Sequence, residues 1–392
     1  MKVSVIGQGY VGLPLALSAA YYGKYEVVGV DINPKIVGAL NEGDSHVEDI
    51  EPGFLKLAIE SLRYRAENDF DSITYADVIV ICVPTPLTSS GNPDLSHLEF
   101  ATRSVAPKLK SGSLVIIEST VSPGTTRNFV GKILSENGGR FELAYSPERI
   151  DPANQVWNIT NTPKLVGGIT EKAKDLALKF YNSFIEVVIP ASSVEVVETA
   201  KLLENSFRLI NISFINEMAE FCWKLGIDVR EVISAAATKP YGFMPFHPGP
   251  GVGGHCIPVD PVYLSWKAKE VGASSKFIDL AVSVNKNLPF FFIEIARKKL
   301  GTIQNKNIIL IGVAYKPNIA DVRETAALDI LLEFRLAGAN VFWHDNLVKN
   351  WNNEMSSSLT NKYDLAILVN PHSSTDLTLL GTTPILDTRG GY

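Results

Sequence analysis

The residues from Gly249 to Pro261 read GPGVGGHCIPVDP and set one cysteine, Cys256, directly after a glycine-rich run and four residues ahead of an acid, Asp260. Five of the residues before the cysteine are glycine or proline. Glycine and proline break both helices and long strands, so the segment is a shaped loop. It lets backbone come close to something and presents a thiol there; a turn around a buried cysteine accounts for the same residues. Two further places carry chemistry-capable side chains. Glu148 sits in Ser146-Pro147-Glu148-Arg149, and Lys201 and Asn205 stand four apart in a stretch free of proline and glycine. Each also has a plain reading as a solvated surface residue, and the elements around them decide.

Residues 2–6 read as a buried parallel strand. Gly7, Gly9 and Gly12 follow as GxGxxG, residues 13–22 read as a helix with Pro14 in its first turn, and a second strand over 25–30 ends at Asp31, nineteen residues after Gly12. In that context Gly7 makes the tight turn, Gly9 lets backbone approach a pyrophosphate, and Gly12 seats the helix close to the strand. The helix N-terminus offers N–H groups and partial positive charge to phosphates. Asp31 accepts from both ribose hydroxyls and repels a 2′-phosphate, which favours NAD over NADP; a ligand-free doubly wound domain is the competing reading. Further strands are expected over 77–83, 113–118, 141–145, 165–168 and 187–189, completing an NAD-binding domain over 1–192. Ligands of such sheets bind at the carboxyl ends of strands, so Thr85 and Thr120 are candidate cofactor contacts and Glu148 faces the same crevice. Cys82, inside a strand, is expected in the core.

From Val194 to Leu225 the pattern predicts one helix of roughly 50 Å at 1.5 Å per residue, with Val197, Leu203, Phe207, Ile210, Phe214 and Met218 as its apolar positions. Lys201 and Asn205 share one face of it. A helix over 229–237, a loop over 239–261 and a helix from about 274 to 300 complete a connector over 193–300, whose two long helices suit either a dimer interface or packing within one chain. Residues 307–313 then copy the opening strand. A helix over 326–337 and strands over 340–343, 364–369 and 385–387 follow, and His344-Asp345 stands where Asp31 and Ile32 stand in the first domain. The region 301–392 is a degenerate repeat lacking the second and third glycines. Lys316, after Tyr315, is a point charge suited to a phosphate, and Asp321-Val322-Arg323 is expected to open the next helix.

Hydrophobic residues make up 46% and charged residues 20% of the 392, enough for sizeable cores, and the net charge of -6 without basic runs argues against nucleic acid. Three scattered cysteines suit neither a disulfide framework nor a zinc site, so no metal is expected and a reducing cytoplasm fits. The N-terminal segment does not read as a signal peptide and no apolar run reaches the ~18 residues of a membrane span.

The chain resembles the nucleotide-sugar 6-dehydrogenases, the UDP-glucose and UDP-N-acetylhexosamine dehydrogenases, through GQGYVGLPLA at 7–16, VPTP at 83–86, EST at 118–120, SPER at 146–149, KLLEN at 201–205 with FINE at 214–217, GVGGHCIPVD at 251–260 and GVAYKPNIADVRET at 312–325. The resemblance implies an α/β protein with two Rossmann-like doubly wound domains joined by a long central helix, and oxidation of the sugar C6 alcohol to a carboxylate by two NAD. Cys256 would be the nucleophile, carrying first a thiohemiacetal and then a thioester. Lys201 and Asn205 would stabilise the oxyanion or hold water, and Asp260 and Glu148 would accept protons, with Thr120 in the same catalytic set. Tyr10, Val11, Lys35 and Arg323 would join the glycines at the cofactor; Arg149, Gly253, Tyr315 and Lys316 would join Glu148, Lys201 and Asn205 at the UDP-sugar. A homodimer or larger homo-oligomer is expected, with domain motion bringing the thiol loop to the cofactor domain. The chain is short for such a family, and its end leaves little tail for regulation.

The residues after the Pro-Glu pair are Arg149-Ile150-Asp151-Pro152, where UDP-glucose enzymes are typically apolar, and His255 precedes the cysteine where they carry a small residue. SPERxDP and PGPGVGGHCIPVDPVYLSWKA resemble the UDP-N-acetylglucosamine branch, which implies that Arg149 and the loop 247–250 accommodate a 2-acetamido group. UDP-N-acetylmannosamine, UDP-N-acetylgalactosamine and UDP-glucose remain alternatives, as does a non-catalytic nucleotide-sugar binding protein. His255 reads equally as a general base or as loop packing.

Overall fold

The structure is a computed structural model that describes residues 1–47, 50–151, 154 and 156–392. The chain divides into two compact units, Met1–Leu203 and Glu204–Tyr392. The first unit runs β1 (Lys2–Ile6), α1 (Gly12–Tyr21), β2 (Glu26–Val30), α2 (Pro34–Glu42), α3 (Pro52–Glu60), β3 (Tyr64–Glu67), β4 (Val78–Ile81), α4 (Ser96–Val105), β5 (Ser113–Ile117), α5 (Gly131–Ser135), β6 (Phe141–Tyr145), β7 (Lys164–Gly168), α6 (Glu171–Tyr181) and β8 (Val188–Pro190). Its sheet has the order β3-β2-β1-β4-β5-β6-β7-β8. All neighbours are parallel except β6 and β7. The order reverses between β1 and β4, and in sheets of this kind ligands bind at that switch point, outside the carboxyl ends of the strands. Continuous Val/Ile runs bury β1, β4 and β5 on both faces. One apolar layer holds Leu13, Leu17, Leu55 and Phe180, the other Leu98, Val105, Val130 and Val197.

The sequence pattern misses β3 and α2 to α6. YRAE alternates buried and exposed positions over only four residues, too few to stand out as a period. Cys82 is buried, as expected of a core position.

Helix α7 (Val194–Leu225) spans the boundary between the units. In the second unit follow α8 (Val229–Ala237), α9 (Asp260–Glu270), α10 (Lys276–Leu300), β9 (Asn307–Ile311), α11 (Ala326–Leu336), β10 (Asn340–His344), β11 (Asn350–Trp351), β12 (Glu354–Met355), β13 (Leu365–Leu368) and β14 (Ile385–Asp387). The parallel sheet β10-β9-β13-β14 packs one face on α10 and α11 through Phe292, Ile295, Ile330 and Phe334. Its other face is covered by Leu359, Leu380, Tyr363 and Leu377, which lie outside any α-helix.

Three local expectations change. The apolar positions expected on α7 do not form one face: Val197 is buried, whereas Leu203, Phe207 and Phe214 are exposed and Leu209, Ile215, Ala219 and Cys222 are buried in their stead. Apolar residues surround much of this helix, so spacing alone could not choose its inner side. The loop expected through Pro261 ends earlier, because Asp260 opens α9 with Pro261 in the first turn, where its missing N–H costs nothing. Asp321-Val322-Arg323 does not open a helix; α11 starts at Ala326, where the Thr325 side chain accepts from the Ala327 N–H.

Candidate active site

The turn after β1 is shaped by close contacts. Gly7 has φ +88°, and its N–H donates to the Val30 carbonyl at 2.7 Å. A Cβ on Gly12 would lie 1.8 Å from the Gly7 carbonyl oxygen, so only glycine lets α1 start there. A Cβ on Gly9 would meet nothing within 4 Å, leaving open space beside the turn. No side chain caps α1 and no acid stands in its first turn, which leaves its N-terminal dipole to a ligand. Asp31, half-buried at the end of β2, accepts from the Gln8 N–H at 3.0 Å and the Asn33 N–H at 2.9 Å. Tyr10 and Val11 are half-buried in the turn, and Lys35 is exposed on α2, its N–H capped by the Asn33 side chain. The Thr85 hydroxyl donates to the Thr120 carbonyl at 2.7 Å, tying the strand ends of β4 and β5 together. The open glycine, the uncapped helix and the partly used carboxylate fit an adenine dinucleotide. Gln8, which sequence reasoning passed over, is fully buried and bridges the Val5 carbonyl and the Tyr64 hydroxyl, holding the turn from beneath.

Glu148 follows β6 and is not isolated. Its Oε1 accepts from the Arg149 and Ile150 N–H groups at 2.5 and 2.8 Å. Lys164, buried at the start of β7, sets its Nζ 3.1 Å from Glu118 Oε1 and 3.7 Å from Glu148 Oε2. The Tyr181 hydroxyl donates to Glu118. Burial pushes Glu118 up to about 7. Burial also works against the charge on Lys164, but the two carboxylates outweigh it and raise its pKa. Arg149 donates from Nη1 to the Pro163 carbonyl at 2.6 Å. Asp151 is half-buried, and Pro152 lies outside the described residues. A second buried acid, Glu198 on α7, accepts from the Gly124 and Thr126 N–H groups at 2.6 and 2.8 Å; burial raises it to about 7 in spite of them. Lys164 and Glu198 were missed, although a lysine opening the apolar run KLVGG was the available signal.

In the second unit Cys256 is exposed, so the loop presents its thiol instead of burying it. The Asp260 N–H donates to the Cys256 carbonyl at 2.8 Å, joining the cysteine to the start of α9. Asp260 is buried and accepts from Asn205 Nδ2 at 2.6 Å. Lys201 and Asn205, one turn apart on α7, are both buried, which removes their reading as solvated residues. His255 Nε2 lies 3.6 Å from Asp321 Oδ2, and Arg323 grips the same carboxylate through Nε at 2.9 Å and Nη2 at 2.5 Å. Asp321 and the Cys256 side chain push His255 up to about 9. Burial opposes the charge on Asp321, yet His255 and Arg323 hold it well below the usual carboxylate range. The close approach permitted by the glycines is to Tyr315: a Cβ on Gly253 would come 2.9 Å from the Tyr315 Cβ, and one on Gly254 2.8 Å from its ring. Tyr315 and Lys316 are half-buried at the end of this loop contact. Among the described residues no group of three or more His, Cys, Asp or Glu is placed to hold a metal ion, and no helix is long and apolar enough to cross a membrane.

Three family models, described as the NAD binding, central and UDP binding domains of the UDP-glucose/GDP-mannose dehydrogenase family, match residues 1–185, 195–287 and 309–390. The chain belongs to the UDP-glucose/GDP-mannose dehydrogenase family. This family member is an NAD-dependent nucleotide-sugar 6-dehydrogenase. It is 36% identical over 351 residues to a UDP-N-acetyl-D-mannosamine dehydrogenase of Methanococcus maripaludis, covering 88% of this chain and 79% of that one. It is also 36% identical over 344 residues to a UDP-N-acetyl-D-glucosamine 6-dehydrogenase of Pseudomonas aeruginosa, covering 85% and 80%. A solved UDP-D-ManNAc dehydrogenase from Pyrococcus horikoshii superposes with a TM-score of 0.91 at 32% identity, over 100% of this chain and 96% of that one.

Proposed function

We propose that this dehydrogenase oxidises the C6 hydroxymethyl group of a UDP-N-acetylhexosamine to the carboxylate through Cys256. The observation that carries the reading is the anchoring of an exposed thiol on a buried polar pair: Cys256 leads into α9, whose first residue, Asp260, is bonded to Asn205. NAD, when bound, would supply the hydride acceptor for each of the two oxidations. Cys256 adds to the aldehyde carbon, because a free aldehyde is a poor hydride donor until a heteroatom adds to it. The thiohemiacetal so formed becomes a thioester, and water hydrolyses it to the carboxylate and the free thiol. Asn205 and Lys201 steady the oxyanion or the water. Asp260 and Glu148 accept the protons, with water as relay and Thr120 beside the cofactor. Lys316 and Tyr315 hold the UDP end, helped by Gly253, while Arg149 contacts the 2-acetamido group. Lys35, exposed on α2, reaches the cofactor. His255, paired with Asp321, supplies a positive charge beside the Cys256 sulfur.

UDP-N-acetylglucosamine is the first substrate candidate, on Arg149 and the His255-containing loop. UDP-N-acetylmannosamine stands beside it, because relatives of equal identity bear each name and the solved relative from Pyrococcus horikoshii bears the mannosamine one. The test is NADH production over a panel of UDP-glucose and the UDP-N-acetylhexosamines. Two NADH per sugar are expected from an N-acetylated substrate. One NADH with released aldehyde, or a kcat/KM for UDP-glucose at least as high, overturns the reading. Cys256→Ser is expected to make no uronate, and normal uronate production by it counts against the thioester. The protein is further proposed to act in the cytoplasm as a homodimer through α7, where exposed Phe207, Phe214 and Phe221 recur every seven residues; light scattering of Phe214→Glu against wild type measures it.

A further inference from the structure

Glu148 stands at the outer end of a buried charge cluster in the first unit. Side-chain exposure falls from 15% at Glu148 to 5% at Lys164 and 0% at Glu118. The Lys164 ammonium is held from several sides. It lies 3.1 Å from Glu118 Oε1 and 3.7 Å from Glu148 Oε2, donates to the Pro147 carbonyl at 3.3 Å, and sits 5.0 Å over the Tyr181 ring. Tyr181 in turn donates to Glu118, which fixes the far side of the cluster. Taking an ammonium out of water costs several kcal/mol, and a neutral apolar residue usually serves stability as well. A pairing with Glu118 alone would balance the charge. The second carboxylate within reach, and the bond to the carbonyl just before it, need another explanation.

We propose that Lys164 is a positioning residue for the dehydrogenase reaction: clamped by Glu118 and the Pro147 carbonyl, its ammonium fixes the carboxylate of Glu148 in the place from which it receives a proton. This rests on the reading of Glu148 as a proton acceptor. The backbone N–H groups of Arg149 and Ile150 hold one oxygen of Glu148, and Lys164 approaches the other. Hydrogen bonds thus hold one oxygen, while the other, buried and accepting none among the described residues, has the ammonium as its ion-pair neighbour. Misplacing a reacting group by about 1 Å is enough to cost on the order of 100-fold in rate.

The experiment is a mutant cycle on kcat with the full chain, using whichever UDP-sugar the panel selects. Lys164→Met is expected to lower kcat by about 10- to 100-fold while the KM values and the NAD binding stoichiometry hold. Lys164→Arg is expected to restore most of the loss. Glu148→Gln is expected to lower kcat by about 100- to 10,000-fold, still measurable by NADH fluorescence. In the Glu148→Gln background, Lys164→Met is expected to cost nothing further, whereas a lysine that only supports the fold would cost the same in both backgrounds. The double variant K164M/E118Q removes the unpaired buried acid that Lys164→Met leaves behind, so it tests the same loss if the single variant does not fold. Wild-type kcat in Glu148→Gln overturns the reading of Glu148 and the inference with it. A crippled Glu148→Gln alongside full kcat in the folded Lys164 variants, or additive losses in the cycle, overturns the inference alone.

Discussion

The two Rossmann-like sheets open with the same turn and use it differently. After β1, the Gly7 N–H bonds to the last residue of β2; after β9, the Gly312 N–H bonds to the last residue of β10, at 2.9 Å. Each neighbouring strand is followed by an aspartate that turns back to the loop. Asp31 is half-buried and, among the described residues, accepts from only two backbone N–H groups. Asp345 is buried and accepts from the N–H groups of Val313, Ala314, Leu347 and Val348 and from His372 Nε2. A carboxylate has about four lone-pair sites, so Asp345 is saturated from within and keeps none for a ribose. Helix α1 starts at Gly12, whereas α11 waits until Ala326, after the loop that carries Tyr315, Lys316 and Arg323. One backbone frame thus yields a ligand site or a structural knot, depending on whether its acid is left unsatisfied.

The sharpest way to break this comparison is Gly12→Val. Its side chain would begin 1.8 Å from the Gly7 carbonyl, so NAD affinity is expected to fall by more than about 100-fold and the first unit to lose roughly 3 kcal/mol. Calorimetric NAD titration and thermal unfolding check both, and unchanged NAD binding would show that the close helix–strand contact is not needed.

A crossed pair comes next. Asp345→Asn strands buried donors and is expected to cost about 2–4 kcal/mol of stability with no change in NAD affinity. Asp31→Asn is expected to weaken NAD about tenfold and leave the melting temperature nearly unchanged. If the two variants trade outcomes, the distinction between the turns is wrong.

The smallest effect is in pH. Glu118 in the first unit binds its proton more tightly folded than unfolded, its pKa rising from 4.5 to about 7. Stability from it is therefore greatest below pH 4.5 and declines as pH rises towards 7. His255 in the second unit rises from 6.5 to about 9. Its contribution is complete below pH 6.5 and is lost as pH climbs through about 9. Melting curves of Glu118→Gln and His255→Gln across pH 4 to 10 are expected to flatten separate windows, by roughly a degree or two. One shared window for both would contradict the two origins.

Much of the chain was legible because the relevant signals are local. The glycine spacing and Asp31 announced the first turn, and the run from Val194 to Leu225 announced its helix at the observed ends. The loop around Cys256 was readable as irregular backbone because glycine and proline impose that on any neighbours. Lys201 and Asn205 were ambiguous until burial was known, since helix periodicity places residues on a face without saying what covers it.

The sequence by itself determined the strand–glycine–helix unit, the exposed thiol's irregular loop and the family, because backbone conformation and apolar period are set by residues within a few positions of one another. Only the tertiary structure decided that Lys164 joins Glu118 to Glu148, that Asn205 holds Asp260, and that His372 completes the shell of Asp345. Those partners come from distant parts of the chain. Which of a carboxylate's lone pairs remain free depends on how strands and loops are brought together, and no local spacing encodes it.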